Sequence, residues 1–377
     1  MAADPDFPDD LDPAPSTRRG RAGVPHAEVT IALRAHVAAD ELARTAFRRL
    51  RQPPEENEFR RISEEANRAA GLYDQKGWLT DPSAYHPDPP PLHEPQLRPS
   101  RAAGMAVDRL KFPSAWTPPA GVPGRKRWLQ YQANAVGRAT VLRHLDRPRH
   151  WVVCIHGTGM GRDADLRSFR ARRLFIEFGC NVVLPILPLH GPRRPPRGSG
   201  VQFPTLDVLD NAHGLAQAAW DVRRILSWIR SQEPLGVGVM GVSLGGYVAA
   251  LVAGLEPEPL QCALPIIPAT DFPALFLQQS PPELRERMAP FLDASTLVHS
   301  VVSPLKFDPI TPHSARAIAG GLADKLIDPV DQVAPLWEHW GRPRILWFPG
   351  GHVGHLVRRD LHTFVDETLE STGLTAG

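Results

Sequence analysis

The sequence predicts an α/β fold built on a mainly parallel sheet, and two observations support this prediction. Short apolar runs alternate with longer amphipathic segments over residues 104–369, which is the pattern of consecutive βαβ units. Serine, aspartate or histidine side chains follow several of these runs directly. Reactive groups in open parallel sheets lie beyond the carboxyl ends of the strands, so both observations indicate the same architecture.

The apolar periodicity assigns the elements of this sheet in chain order. Strands are expected at 104–112, 135–144, 151–155, 181–187, the run around Val237, 261–267, 315–319 and 344–348. Helices are expected at 163–178, 208–231, the segment directly after Ser243, 332–340 and 357–369. Together these segments predict one α/β domain over residues 100–377.

Two regions depart from the alternation. Residues 1–26 are acidic and proline-rich with few apolar groups, so we expect a disordered tail without a secretory signal. Residues 27–99 read as an N-terminal extension, with helical spacing over 27–50 and 55–72 and a proline-rich stretch, 80–99, unsuited to regular hydrogen-bonded structure. Within the domain, residues 272–309 carry helical pieces instead of strands, and we interpret them as an inserted cap over a pocket.

Composition excludes several classes of function. The chain has 377 residues with 43 basic and 41 acidic side chains, so charge gives no reason to expect a nucleic-acid partner. The apolar run 235–255 contains six glycines and is not expected to span a membrane. The three cysteines lie in or beside apolar runs and are expected to be buried and reduced, which predicts a cytoplasmic protein.

The centre of the sequence is the segment GVSLGG around Ser243, which follows a strand-like run and precedes a helix-like one. A serine on such a sharp turn needs small neighbours, since strand and helix must pass closely while its hydroxyl stays exposed. Gly241 and Gly245 occupy those positions. Ser243 is therefore predicted to be a nucleophile.

A second glycine-rich turn, HGTGMG, directly follows the run 151–155. Acyl transfer places negative charge on a carbonyl oxygen, which preorganised main-chain N–H groups stabilise. We expect the amide of Leu244 to be one donor and the amide of Thr158 or Gly159 to be the other. The glycine spacing matches neither common phosphate-binding loop.

A serine hydroxyl requires a base, and the segment GGHVGH follows the last strand. His352 directly follows the glycine pair and is preferred to His355, which falls nearer to the next helix. The two histidines lack the accompanying carboxylate or cysteine pattern of a metal site, so no metal is predicted.

The base requires a carboxylate to orient it. Asp324 leaves the strand 315–319 in the segment GGLAD and is the preferred acid, with Asp271 as its rival. Asp328 and Asp331 read as capping residues of the following helix.

The chain resembles the serine hydrolases of the α/β-hydrolase fold. The resemblance rests on the chain order Ser243, Asp324, His352 and on the four segments HGTGMG, GVSLGG, GLAD and GGH. The resemblance covers residues 104–368. It implies a central sheet of about eight strands with helices on both faces, a Ser-His-Asp triad and no cofactor. The segment PLHGPR is similar to a pocket loop of esterase-like branches, and His156, Met160 and His190 are the substrate-pocket candidates. The N-terminal extension is not part of the core fold, and the HGTG loop is shorter than the HGGG type.

The favoured function is hydrolysis of a small carboxylic ester, lipidic substrates included, through an acyl-enzyme on Ser243. An acyltransferase or a thioesterase would use the same three residues. A non-catalytic binding protein on this fold is the alternative from another class. The oligomeric state stays open, a homo-oligomer included.

Overall fold

The computed structural model describes residues 20, 22–50, 54–195 and 203–375. Most of the predicted disordered tail therefore lies outside the described residues. Val24 belongs to that predicted tail but is only 2% exposed and packs beside Leu322 and Ala334. The chain thus enters the folded structure a few residues earlier than its composition indicates.

A single sheet of nine strands forms the centre of the described structure. The strands are β1 Gln96–Ala102, β2 Met105–Pro113, β3 Val136–Leu142, β4 Trp151–Ile155, β5 Asn181–Ile186, β6 Val237–Val242, β7 Cys262–Ile266, β8 Ala317–Gly321 and β9 Arg344–Phe348. Their spatial order is β1-β2-β3-β5-β4-β6-β7-β8-β9. The six strands from β4 onward are parallel, while β1, β2 and β3 pair antiparallel. The predicted mainly parallel sheet is confirmed.

Helices cover both faces of this sheet. They are α1 Ile31–Leu50, α2 Glu56–Gln75, α3 Arg125–Gln130, α4 Asp165–Ser168, α5 Val208–Arg230, α6 Leu244–Leu255, α7 Phe272–Gln279, α8 Pro282–Met288, α9 Leu292–Ser300, α10 Ala334–His339 and α11 Arg359–Ser371. One core lies between the sheet and the pair α5 and α6, and a second lies on the opposite face beneath α11. Burial of both faces explains why the central strands read as continuous apolar runs rather than alternating ones.

The ninth strand corrects the interpretation of residues 80–99. Residues 96–99 of that proline-rich stretch belong to β1, where Pro99 pairs with Asp108 of β2. Because β1 is the edge strand of the sheet, the missing N–H of Pro99 costs no inner ladder hydrogen bond. The sheet therefore has one strand more than the resemblance implies.

The single helix predicted at 163–178 is also wrong. Only α4 and a short π-helical turn, Arg173–Glu177, form within it. Arg170 lies between them with a φ of 51°, which no continuous right-handed helix accommodates. The apolar periodicity of the segment is real, since Leu166, Phe169 and Leu174 are buried, but it is divided between two short turns.

The extension and the insertion pack on each other. Helix α2 buries one face, including Phe59 and Ile62, against α9 and α5. The rings of Phe59 and Phe291 lie 6.2 Å apart, and Arg61 of α2 pairs with Asp207 at the start of α5 at 2.8 Å. The division of the chain into extension, domain and cap stays a prediction, but these contacts join the three segments.

Among the described helices, none combines the length and the apolar character needed to cross a bilayer. All three cysteines are buried and unpaired, as expected.

Candidate active site

Ser243 lies on the sharp turn that joins β6 to α6. Its backbone has φ 57° and ψ −116°, a conformation that costs a non-glycine residue on the order of 1 to 3 kcal/mol. The flanking glycines make the turn possible, because a Cβ at Gly241 would overlap the carbonyl of Gly245 and a Cβ at Gly245 would overlap the carbonyl of Ile155. The strand and helix thus pass each other at main-chain distance.

Replacing Gly245 with alanine is expected to destabilise the fold strongly. The added methyl would also lie 2.6 Å from the oxygen of His156, and main chain cannot move aside as a flexible side chain can. We expect a lower melting temperature and a lower yield of folded protein. The control is Gly71→Ala on α2, where a Cβ meets nothing within 4 Å and the better helix former should raise stability slightly. A Gly245→Ala protein as stable as wild type would contradict this account.

Three predicted side chains meet at this turn. The hydroxyl of Ser243 lies 3.1 Å from Nε2 of His352, and Nδ1 of His352 lies 2.7 Å from Oδ2 of Asp324. Asp324 follows β8 and His352 follows β9, so three parallel strands bring the three groups to one edge of the sheet. With Nδ1–H donating to the carboxylate, Nε2 is the atom left to accept the serine proton.

The carboxylate of Asp324 is fixed by main chain on its other side. Its Oδ1 accepts the N–H groups of Leu326 at 2.8 Å and Ile327 at 2.7 Å, and the residue is 4% exposed. These bonds leave Oδ2 directed at the imidazole. Such an arrangement holds the ring in one tautomer and stabilises its charged form.

The rival residues occupy other roles. His355 donates from Nδ1 to the carbonyl of His352, and burial lowers its pKa to about 4. Asp271 caps α7 by accepting the N–H of Ala274. Asp328 accepts the N–H groups of Val330 and Asp331, which is the capping role expected of it.

The glycine-rich turn after β4 lies against the serine. A Cβ at Gly157 would lie 3.1 Å from the carbonyl oxygen of Val242 and 3.4 Å from Cβ of Ser243, so the loop leaves little room for a side chain at this position. Leu244 is the first residue of α6, where a helix offers its N–H no internal acceptor. The amides of Leu244 and of Thr158 or Gly159 stay the predicted oxyanion donors.

A cavity of about 370 Å³ opens beside Ser243 and His352. Its walls are mostly apolar. Phe272, Phe276 and Leu284 come from the insertion 272–309, Leu326 and Ile327 come from the loop after β8, and Leu206 comes from the segment before α5. A larger groove, of about 620 Å³, lies outside β2 and β3, and none of the three predicted catalytic residues lines it. We therefore regard the smaller cavity as the candidate substrate pocket.

Of the three substrate-pocket candidates, only Met160 lines this cavity. His156 and His190 are 2% and 1% exposed, and each donates from Nδ1 to a nearby main-chain carbonyl. Burial lowers their pKa values to about 4 and about 3, so both rings are neutral packing groups. The prediction that His156 and His190 line the pocket is therefore wrong, because both rings are turned into buried packing and away from the cavity.

One residue at the site escaped the sequence analysis. Asp40 of α1 is fully buried and accepts the N–H groups of Lys325, His352 and Val353. Its carboxylate thereby contacts both loops that carry the predicted acid and base. A single acid within an amphipathic helix gives no local signal of such a contact.

Comparison with known proteins gives a consistent result. A family model described as alpha/beta hydrolase domain containing 18 matches residues 133–278. Two uncharacterized proteins of Mycobacterium tuberculosis, from strains CDC 1551 and H37Rv, are each 43% identical over 353 residues, which is 93% of this chain and 85% of theirs.

Solved structures share the architecture. Acetyl xylan esterase 1 from Thermoanaerobacterium sp. is similar with a TM-score of 0.54 and 16% identity, over 80% of this chain and 94% of that one. The acetyl xylan esterase from Paenibacillus sp. R4 has a TM-score of 0.53 and 15% identity, over 82% and 94% of the two chains. At this identity the likeness establishes the fold.

Proposed function

Because this chain belongs to the α/β-hydrolase family, we propose that it hydrolyses carboxylic esters through an acyl-enzyme on Ser243. The observation that supports the proposal best is the unbroken series of hydrogen bonds from Ser243 through His352 to Asp324. That series begins at the wall of an apolar cavity. Hydroxyl, imidazole and carboxylate in this order form an activated nucleophile.

The proposed reaction has two stages. His352 Nε2 takes the proton of Ser243 as Oγ attacks the ester carbonyl, and the resulting oxyanion accepts hydrogen bonds from the amides of Leu244 and of Thr158 or Gly159. The imidazolium then gives its proton to the leaving alcohol, which leaves an acyl group on Ser243. Water activated by the same imidazole attacks this acyl group, and the carboxylic acid and free serine result.

The cavity supports an apolar acyl group as the part of the substrate that is bound. Its side chains include Phe272, Phe276 and Leu284 of the cap. Burial of apolar substrate surface against such walls favours binding by about 25 cal/mol per Å². We therefore propose esters of apolar acids as the substrate class.

The test of this function is covalent labelling together with turnover. A fluorophosphonate probe should label the wild-type protein once, and mass spectrometry should locate the label on Ser243. A series of p-nitrophenyl esters of increasing acyl length should be hydrolysed, with product analysis in the presence of alcohol acceptors to detect acyl transfer. Absence of both labelling and hydrolysis would favour a non-catalytic binding protein and refute the proposal.

The proposed mechanism also predicts a pH dependence. Burial alone would lower the pKa of the His352 imidazole, but the carboxylate of Asp324 and, less strongly, that of Asp40 raise it, and the net pKa lies above its usual value. The base must be neutral, so kcat/KM should fall as pH decreases through a midpoint above about 6.5. Measuring kcat/KM for a non-ionising ester across this range checks the prediction. A midpoint at or below the usual value would contradict it.

A further inference from the structure

Helix α1 of the N-terminal extension lies against the loop that carries His352. This loop follows β9, and two of its glycines face α1 directly. A Cβ at Gly351 would lie 2.5 Å from Oδ2 of Asp40, and a Cβ at Gly354 would overlap the ring of His36. Arg44, one turn beyond Asp40 on the same helix, reaches the wall of the catalytic cavity.

Asp40 is the centre of this contact. Its Oδ2 accepts the N–H of His352 at 2.7 Å and that of Lys325 at 3.0 Å, while Oδ1 accepts the N–H of Val353 at 2.9 Å. Lys325 directly follows the predicted acid, Asp324. One carboxylate therefore joins the loop of the acid to the loop of the base, although Asp40 lies 312 positions before His352 in the sequence.

The surroundings of Asp40 are unusual for a purely structural carboxylate. Among the described side chains no cation forms an ion pair with it, and the residue has 0% exposure. Burial raises the pKa of its carboxyl, the nearby charge of Asp324 raises it further, and the three main-chain N–H groups oppose both effects. A buried carboxylate without a cation costs free energy, and such groups concentrate at functional sites.

We propose that Asp40 is a positioning residue of the active site, which makes the N-terminal helix part of the catalytic machinery. It holds the two loops in register, so that His352 stays in line between Asp324 and Ser243. Its negative charge also favours the imidazolium that forms when His352 takes the serine proton. This inference rests on the proposed function.

The principal test is Asp40→Asn. The amide keeps the shape of the side chain but loses the charge, and its NH2 group faces N–H donors that need an acceptor. We expect kcat to fall about 10- to 100-fold, the size of effect that follows a small misplacement of catalytic groups, while KM changes little. The pKa of the His352 imidazole, followed by NMR titration, should fall.

Two further variants accompany it. Gly351→Ala leaves α1 unchanged but places a methyl against the carboxylate of Asp40, so it should give a similar loss in kcat. It therefore serves as the test if Asp40→Asn does not fold. Asp366→Asn is the matched control. This carboxylate, on α11, pairs with Arg170 and Arg173 and lies away from the loops of Asp324 and His352. Its kcat and imidazole pKa should equal those of wild type.

The outcomes separate this inference from the proposed function. If the wild-type protein neither hydrolyses esters nor reacts with the probe, the proposed function is refuted. The pKa of the His352 imidazole can be measured without turnover, so its change in Asp40→Asn then decides the role of Asp40. If folded Asp40→Asn keeps the wild-type kcat, the positioning role is refuted. If its activity falls only in proportion to the loss of folded protein and the imidazole pKa does not fall, Asp40 is merely structural and the inference is refuted as well.

Discussion

Ser243→Ala should lose about 10⁵- to 10⁶-fold in kcat for ester hydrolysis, the effect of removing the nucleophile from a serine triad. It should also lose all labelling by the fluorophosphonate probe. The hydroxyl is the atom that forms the acyl bond, and no other described hydroxyl is hydrogen-bonded to His352. KM should change little, because the walls of the cavity are untouched.

The control for this variant is Ser231→Ala. Ser231 lies at the exposed end of α5, where its hydroxyl donates to the carbonyl of Trp228. This variant should keep wild-type turnover. Ser243→Ala itself should remain folded, because alanine can take the same backbone conformation as the serine and the close packing at Gly241 and Gly245 does not change. Labelling that persists at the wild-type level in Ser243→Ala would refute the assignment.

Asp324→Asn should lower kcat by about 10⁴-fold, the effect of the same exchange at other serine triads. The asparagine oxygen can keep the N–H bonds from Leu326 and Ile327, which directs its NH2 group at Nδ1 of His352. That nitrogen must then accept, so the proton moves to Nε2, which can no longer take the proton of Ser243. Steady-state kinetics with KM determined separately measures the loss.

Asp328→Asn is the matched control on the same loop. Asp328 caps the turn after it and accepts main-chain N–H groups, as Asp324 does, but the imidazole of His352 is bonded to Asp324. This variant should change thermal stability little, because asparagine caps a helix about as well as aspartate does, and it should keep wild-type activity per folded molecule. Equal losses in kcat for the two variants would show that loop stability, not orientation of the base, is what Asp324 provides.

The fold was predictable because its signals are local. A strand buried on both faces must be apolar throughout, and β4, β6 and β7 show this in sequence. The turn at Ser243 requires glycines wherever main chain meets main chain, and Gly241 and Gly245 mark it. The wrong predictions were local too. The composition of 163–178 does not reveal that Arg170 interrupts the helix. The proline content of 80–99 does not reveal that Pro99 lies in an edge strand, where its missing N–H costs no inner ladder hydrogen bond.

The candidate site divides in the same way. Sequence order and strand ends reduced the choice to one serine, two histidines and two aspartates. The distances of His352 to Ser243 and Asp324, and the capping role of Asp271, come from the assembled sheet. The exclusion of His156 and His190 from the pocket likewise depends on which way buried rings face, and sequence spacing carries no information on that.

By itself the sequence determined the parallel sheet, the turn that carries Ser243 and the edge of the sheet at which the proposed chemistry lies. These depend on the spacing of apolar residues and glycines between near neighbours in the chain. Only the tertiary structure decided that α1 closes over that edge and that Asp40 joins the loops of Asp324 and His352. Every non-proline residue carries a main-chain N–H, so a buried carboxylate bonded to such groups can pair with residues of any type. This contact therefore leaves no pattern in the sequence.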